Sequence, residues 1–188
     1  MARQMIITGN PEKGLAKSLA KIYPDAKFCS KSNGYDLCKK EDQERFAIEA
    51  LDHDVIINCV ALWRFEQTTL LDAIYKCCST YKHTPHIISV GSTTDRVKNG
   101  KPWLYNAEKK ALRDYSNTLA LGGVWDNKPK ISYISFGTLS NNQQKHPDRK
   151  CMDIDVAADY IKWLINQPKY VNINEISIDP MQDEKWYE

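Results

Sequence analysis

Six short apolar runs separated by amphipathic stretches constrain this chain more than any other feature. The runs lie at about 4–8 (QMIIT), 26–30 (AKFCS), 54–60 (DVIINCV), 86–91 (HIISVG), 131–136 (ISYISF) and 174–178 (NEISI). Helical spacing fills the intervals at about 13–23, 40–51, 66–81, 104–121 and 154–166. In the last of these, Val156, Ala157, Tyr160, Ile161, Leu164 and Ile165 form the expected buried stripe. Apolar residues at consecutive strand positions need cover on both sheet faces, which parallel strands joined by helices provide. The expectation is a doubly wound, mostly parallel α/β sheet in three layers, one Rossmann-type domain over 1–188. The interval from Ser30 to Lys40 is too short for a crossover helix, so Asp36-Leu37 is read as ending a brief extra strand.

With 42% hydrophobic residues, 27% charged residues and net charge +2, the composition excludes a strongly basic partner surface for nucleic acid or an acidic membrane. No run approaches the roughly 20 apolar residues that span a bilayer. The opening MARQMIITGN reads as a first strand rather than a signal peptide. The six cysteines contain no CxxC pair and mostly sit in apolar stretches, which fits reduced thiols and a cytoplasmic location.

The first run enters Thr8-Gly9-Asn10-Pro11-Glu12-Lys13-Gly14-Leu15-Ala16, which opens a helix. Glycines there allow a tight turn and close approach to a pyrophosphate on the helix N-terminus. A P-loop would need Lys and Ser/Thr after the second glycine, where Leu15 and Ala16 stand. About 20 residues on, where NAD sites carry an acid for the ribose, the chain reads Cys29-Ser30-Lys31-Ser32. Without a carboxylate, and with Lys13 nearby, that segment favours the 2′-phosphate of NADP(H), NAD(H) being the other possibility.

Tyr105 and Lys109 are four apart on the helical pattern and share a face. A phenol titrates near about 10; a neighbouring ammonium is expected to lower that value and so assist proton exchange with a carbonyl oxygen. Ser92, at the end of the 86–91 strand, is placed to bond the same oxygen. Alone, Tyr-x-x-x-Lys also describes an exposed helix pair.

Taken in order, these motifs resemble the short-chain dehydrogenase/reductase family over nearly the whole chain. The Thr-Gly turn is similar to Thr8-Gly9 through Gly14-Leu15, and the family's adenine-contacting Asp and aliphatic pair to Asp36-Leu37. Its Asn-Asn-Ala-Gly segment resembles Asn58-Cys59-Val60-Ala61, and its Pro-Gly turn Phe136-Gly137, with Thr138 and Leu139 toward the carboxamide. Ser92 falls thirteen residues before Tyr105, as in many members. The resemblance implies Tyr105 as general acid/base, Lys109 on the nicotinamide ribose and Ser92 on the substrate oxygen. It implies cofactor contacts from Gly9, Asn10, Lys13, Gly14, Leu15, Ser30, Lys31, Ser32, Asp36, Leu37, Asn58, Cys59, Val60, Tyr105, Lys109, Phe136, Gly137, Thr138 and Leu139. A small carbonyl or alcohol substrate and a homodimer or homotetramer follow from it as well. Departures are the extra residue in the turn, Ala16 for its last glycine, the missing second crossover helix, and Phe136 for proline. The family's catalytic asparagine has no match among Gln67, Thr68, Thr69 and Asp72.

Two further readings compete. A sugar-nucleotide epimerase would need a C-terminal domain; a non-catalytic dinucleotide-binding regulator would account for the altered turn and lost asparagine. Cys77, Cys78, His83 and His86 fit no common zinc spacing, so no metal is expected. Glu41, Asp42 and Glu44 read as a solvated helix face. Trp63-Arg64-Phe65 either caps the active-site cleft or staples the following helix. His146, Arg149 and Lys150 in the polar 140–152 loop hint at a polar substrate.

Overall fold

Consecutive isoleucines split between two cores. Ile6, Ile56 and Ile87 join one buried cluster, while Ile7, Ile57 and Ile88 join another on the opposite side of the sheet. Alternation of side chains along a strand produces this division. Each buried isoleucine contributes about 1.5–3 kcal/mol of hydrophobic stabilisation.

The structure, a computed structural model, describes residues 3–96, 102–122 and 128–182. Its elements are β1 (Met5–Thr8), α1 (Gly14–Ile22), β2 (Lys27–Cys29), α2 (Lys40–Glu49), β3 (Val55–Asn58), α3 (Glu66–Thr80), β4 (His86–Ser92), α4 (Leu104–Gly122), β5 (Lys130–Phe136), α5 (Ile154–Ile165) and β6 (Glu175–Ile178). Among the described residues the strands form one sheet in the order β2-β1-β3-β4-β5-β6, with every neighbour parallel. Phe46 of α2, Leu70, Leu71 and Ile74 of α3, and Leu112 and Leu119 of α4 cover one face. Leu19 of α1 with Ala157, Ala158, Ile161 and Leu164 of α5 cover the other. The fold expectation is met: a doubly wound parallel sheet in three layers.

After β1 the chain moves outward to β2, then crosses back over β1 to build β3 through β6. The order therefore reverses between β1 and β3, and the crevice outside their carboxyl ends is where such sheets bind ligands.

Three expectations are corrected. The helix read as missing between the second and third strands is present as α2, which joins β2 to β3. No strand forms at Asp36-Leu37. The Ser30 amide bonds the Asn33 side chain at 2.7 Å, the Tyr35 amide bonds the Ser30 carbonyl at 3.0 Å, and a 3-10 turn spans Lys31–Asn33. These local bonds satisfy backbone groups that a strand would have offered to a neighbour, so β2 remains the sheet edge. In α5 the buried stripe is Ala157, Ala158, Ile161, Leu164 and Ile165; Val156 and Tyr160 lie on its exposed rim.

Candidate active site

The turn after β1 is built around a position where a side chain does not fit. Gly9 has φ +132°, and a Cβ there would lie 2.9 Å from Ala16 Cβ. The absent Cβ lets α1 pack against the turn with alanine where the family carries glycine. Thr8, fully buried, accepts the amides of Cys59 at 2.9 Å and Val60 at 3.1 Å. Cys59 Sγ donates to the Thr8 carbonyl at 2.8 Å, and burial pushes its thiol up to about 12, so it is a protonated structural group. The β1 and β3 ends are thereby locked side by side. The first turn of α1 carries no acid, and its N-cap residue Lys13 makes no side-chain capping bond. Its amides are open to an anion.

Beside this turn stands a group of hydroxyls. Ser30 Oγ and Ser32 Oγ are 2.8 Å apart, and Asn10 Nδ2 donates to Ser32 Oγ at 3.3 Å. Lys31 pairs with Asp36 at 3.2 Å, and that ammonium holds the Asp36 carboxyl below its usual range. Lys13 and Lys31 are exposed, whereas Leu37 is buried with Phe46 in the core. Asn58 and Phe136 are buried as well. At the far end, Gly137 N donates to the Ile178 carbonyl at 2.9 Å, and Thr138 O accepts from Met152 N at 2.9 Å. Leu139 bridges to Met152.

Tyr105 sits in the first turn of α4, with Ser92 at the carboxyl end of β4 near enough to act on its phenol. Lys109 is buried one helical turn on, with Nζ 5.3 Å from the Tyr105 ring centroid. The predicted Ser92, Tyr105 and Lys109 are thus brought together. The expected direction of the phenol shift is not. Burial raises Tyr105 above its ordinary value; the Ser92 side chain opposes the rise and Glu108 adds to it. Lys109 is itself drawn down to about 8 by burial, against the pull of Glu108. Its ammonium lies over the ring and donates to Gln67 Oε1 instead of meeting the hydroxyl.

No family model matches the chain. An uncharacterized oxidoreductase of Staphylococcus aureus is 29% identical over 103 residues, a stretch that spans 51% of this chain and 42% of that protein's length. Among solved structures, a SCOR enzyme from Clostridium thermocellum superposes with TM-score 0.72 at 15% identity, over 95% of this chain and 92% of that one. A short-chain dehydrogenase from Burkholderia cenocepacia in complex with NADP gives 0.70 at 15% identity, over 93% and 87%. Serine dehydrogenase complexed with NADP+ gives 0.70 at 14%, over 93% and 94%. This chain has the short-chain dehydrogenase/reductase fold.

Gln67, 3% exposed, accepts from Lys109 and donates through Nε2 to the Asn58 carbonyl at 3.0 Å and the Val90 carbonyl at 2.9 Å. Asn58 Nδ2 returns a bond to the Gln67 carbonyl at 3.0 Å. A single amide ties α3 to β3, β4 and the lysine. The sequence named Gln67 only as a mismatch and gave it no role, although a signal was there: it occupies the apolar stripe of Leu70, Leu71 and Ile74, where a polar side chain needs a buried partner. Glu108 was missed for the same reason. It shares the buried face of α4 with Leu112 and accepts the Arg64 amide at 2.6 Å.

The metal-like cysteine and histidine group resolves into separate contacts. His83 bonds the His53 carbonyl at 2.8 Å and His86 bonds Ser132 at 2.9 Å. Among the described residues no cluster suited to a metal occurs, and no helix is long and apolar enough to cross a membrane.

Proposed function

We propose that this chain is an NADP(H)-preferring oxidoreductase that interconverts a small carbonyl compound and its alcohol. The observation that carries the reading is buried Lys109 with its ammonium 5.3 Å from the centre of the Tyr105 phenol ring, and Ser92 at the carboxyl end of β4 acting on that phenol. The turn at Gly9 and the uncapped α1 N-terminus suit a pyrophosphate, since a Cβ would fill that cradle. Ser30, Ser32 and Asn10 offer hydroxyl and amide groups for a 2′-phosphate, and Lys13 and Lys31 supply positive charge.

A reduced nicotinamide held by the Gly9 turn and the α1 N-terminus would supply the hydride for the carbonyl carbon. Tyr105, kept protonated by burial at neutral pH, donates its proton to the carbonyl oxygen, which Ser92 holds by a second hydrogen bond. The resulting phenolate is stabilised by the Lys109 ammonium, which Gln67 keeps in place. Solvent returns the proton.

The cofactor preference has a direct test. Titration monitored by nicotinamide fluorescence is expected to give tighter binding of NADPH than of NADH, by about tenfold or more for one engaged phosphate. Ser30→Asp should reverse the order by placing a carboxylate at the 2′-position. Equal or tighter NADH binding in the unaltered protein would refute the preference.

The alkaline limb of the pH profile is a second expectation. Lys109 is charged below about 8 and neutral above it, so carbonyl reduction should decline as pH rises through that value. Lys109→Arg keeps the charge, because guanidinium titrates above about 12. Any activity that variant retains should lack the limb near 8.

A further inference from the structure

Around the Tyr105 phenol the protein exposes aromatic surface that the proton transfer does not use. The Trp63 and Trp103 rings each lie with their centroids 5.4 Å from that of Tyr105, tilted by 52° and 39°. Trp63 is 62% exposed and Trp103 51% exposed. Phe65 adds a third, partly exposed ring in the same turn as Trp63. Indoles with no ligand contact ordinarily pack inward or scatter singly over the surface; these flank the proposed proton donor.

The backbone that carries Trp63 is strained. Arg64 and Phe65 both have positive φ, 59° and 64°, without being glycine. Non-glycine residues hold that conformation only where surrounding contacts enforce it, and such strain clusters at ligand sites. Here the enforcing contact is visible. Buried Glu108 of α4 accepts the Arg64 amide at 2.6 Å, and Trp63 O accepts from Glu66 N at 3.2 Å. The other carboxyl oxygen of Glu108 is buried and finds no hydrogen-bond partner among the described residues. An acidic side chain is thus buried on the helix of Tyr105 and Lys109 where it holds one turn, and that turn presents an exposed indole beside the phenol.

We propose that Trp63 and Trp103 form the substrate platform, and that the substrate class is a flat aromatic carbonyl compound, an aryl ketone or quinone. Its ring stacks on the exposed indole surface while its oxygen reaches Tyr105 and Ser92. Offset or tilted stacking on each indole adds affinity beyond simple area burial, about two- to tenfold per contact. This assignment rests on the oxidoreductase reading for its catalytic consequence, but ring binding is separable from turnover. It departs from the polar substrate suggested by the 140–152 loop, because it rests on the two indole rings that pack against the phenol ring.

The test pairs two ketones of the same skeleton, 2-acetylnaphthalene and its decahydro counterpart, titrated calorimetrically into the protein saturated with NADP+. The aromatic ketone should bind about tenfold more tightly than the saturated one. Trp63→Leu, which keeps apolar bulk, should erase most of that difference, and Trp63→Phe should restore part of it. NADP+ affinity should stay unchanged in both variants. Equal affinity for the two ketones, no measurable binding of either, or an unaltered ratio in Trp63→Leu would each overturn the proposal. Tight, Trp63-dependent binding of the aromatic ketone without any NADPH-driven reduction would keep the platform and overturn the oxidoreductase reading instead.

Discussion

Replacing Tyr105 with phenylalanine is expected to lower kcat for carbonyl reduction by about a thousandfold, within the range for losing a positioned general acid. The variant removes one oxygen and keeps the ring. Packing against Trp63 and Trp103, and the position of Lys109 over the ring, should therefore persist. NADPH affinity is expected to change less than about twofold, because the lost interaction belongs to the transition state and not to ground-state binding. Steady-state kinetics together with a fluorescence titration of the cofactor read both quantities. Activity within tenfold of the unaltered protein would remove Tyr105 from the reaction. Thermal stability serves as a control: loss of one phenol hydroxyl costs about 1 kcal/mol, too little to unfold the protein.

Gly9→Val is the second large expectation, and it acts on cofactor binding. Two costs add at this position. The backbone sits at φ +132°, which a β-branched residue adopts only with strain, and its Cβ would press on Ala16 at 2.9 Å and approach Cys59 Sγ at 3.7 Å. Relief requires α1 to move away from the end of β1, which shifts the amides offered to the pyrophosphate. NADPH affinity should fall by about a hundredfold or more, with stability lowered by about 2–4 kcal/mol. Gly14→Ala is the informative contrast. Its φ of +54° lies in the left-handed region, yet a Cβ there meets only Asn141 Nδ2 at 3.7 Å. It should cost about 1–2 kcal/mol of stability from backbone strain alone. Denaturant unfolding and cofactor titration of both variants separate strain from clash.

These expectations differ in how far the chain announced them. The paired isoleucines of β1, β3 and β4 dictated a sheet covered on both faces, because alternation leaves no other place for both members of each pair. Gly9, Ser92, Tyr105 and Lys109 were legible through spacing, since helix periodicity and strand ends bring them to one edge of the sheet. The sign of the phenol shift was not. Spacing says that Lys109 and Tyr105 are neighbours, but not that burial outweighs the charge, nor that Gln67 draws the ammonium away from the hydroxyl. Gln67 and Glu108 escaped because each depends on a buried partner from a distant segment. Asp36-Leu37 misled for the opposite reason. Local bonds among Ser30, Asn33 and Tyr35 satisfied the backbone before any strand could form.

The central claim is geometric: one crevice holds a dinucleotide from the Gly9 turn to the Tyr105 hydroxyl. A crystal structure of the protein grown with NADP+ tests it most directly. The account predicts the pyrophosphate on the α1 N-terminus beneath Gly9, the 2′-phosphate against Ser30 and Ser32, and the nicotinamide ring within reach of Tyr105 and Lys109. A cofactor bound elsewhere, or one whose nicotinamide points away from that phenol, would contradict it.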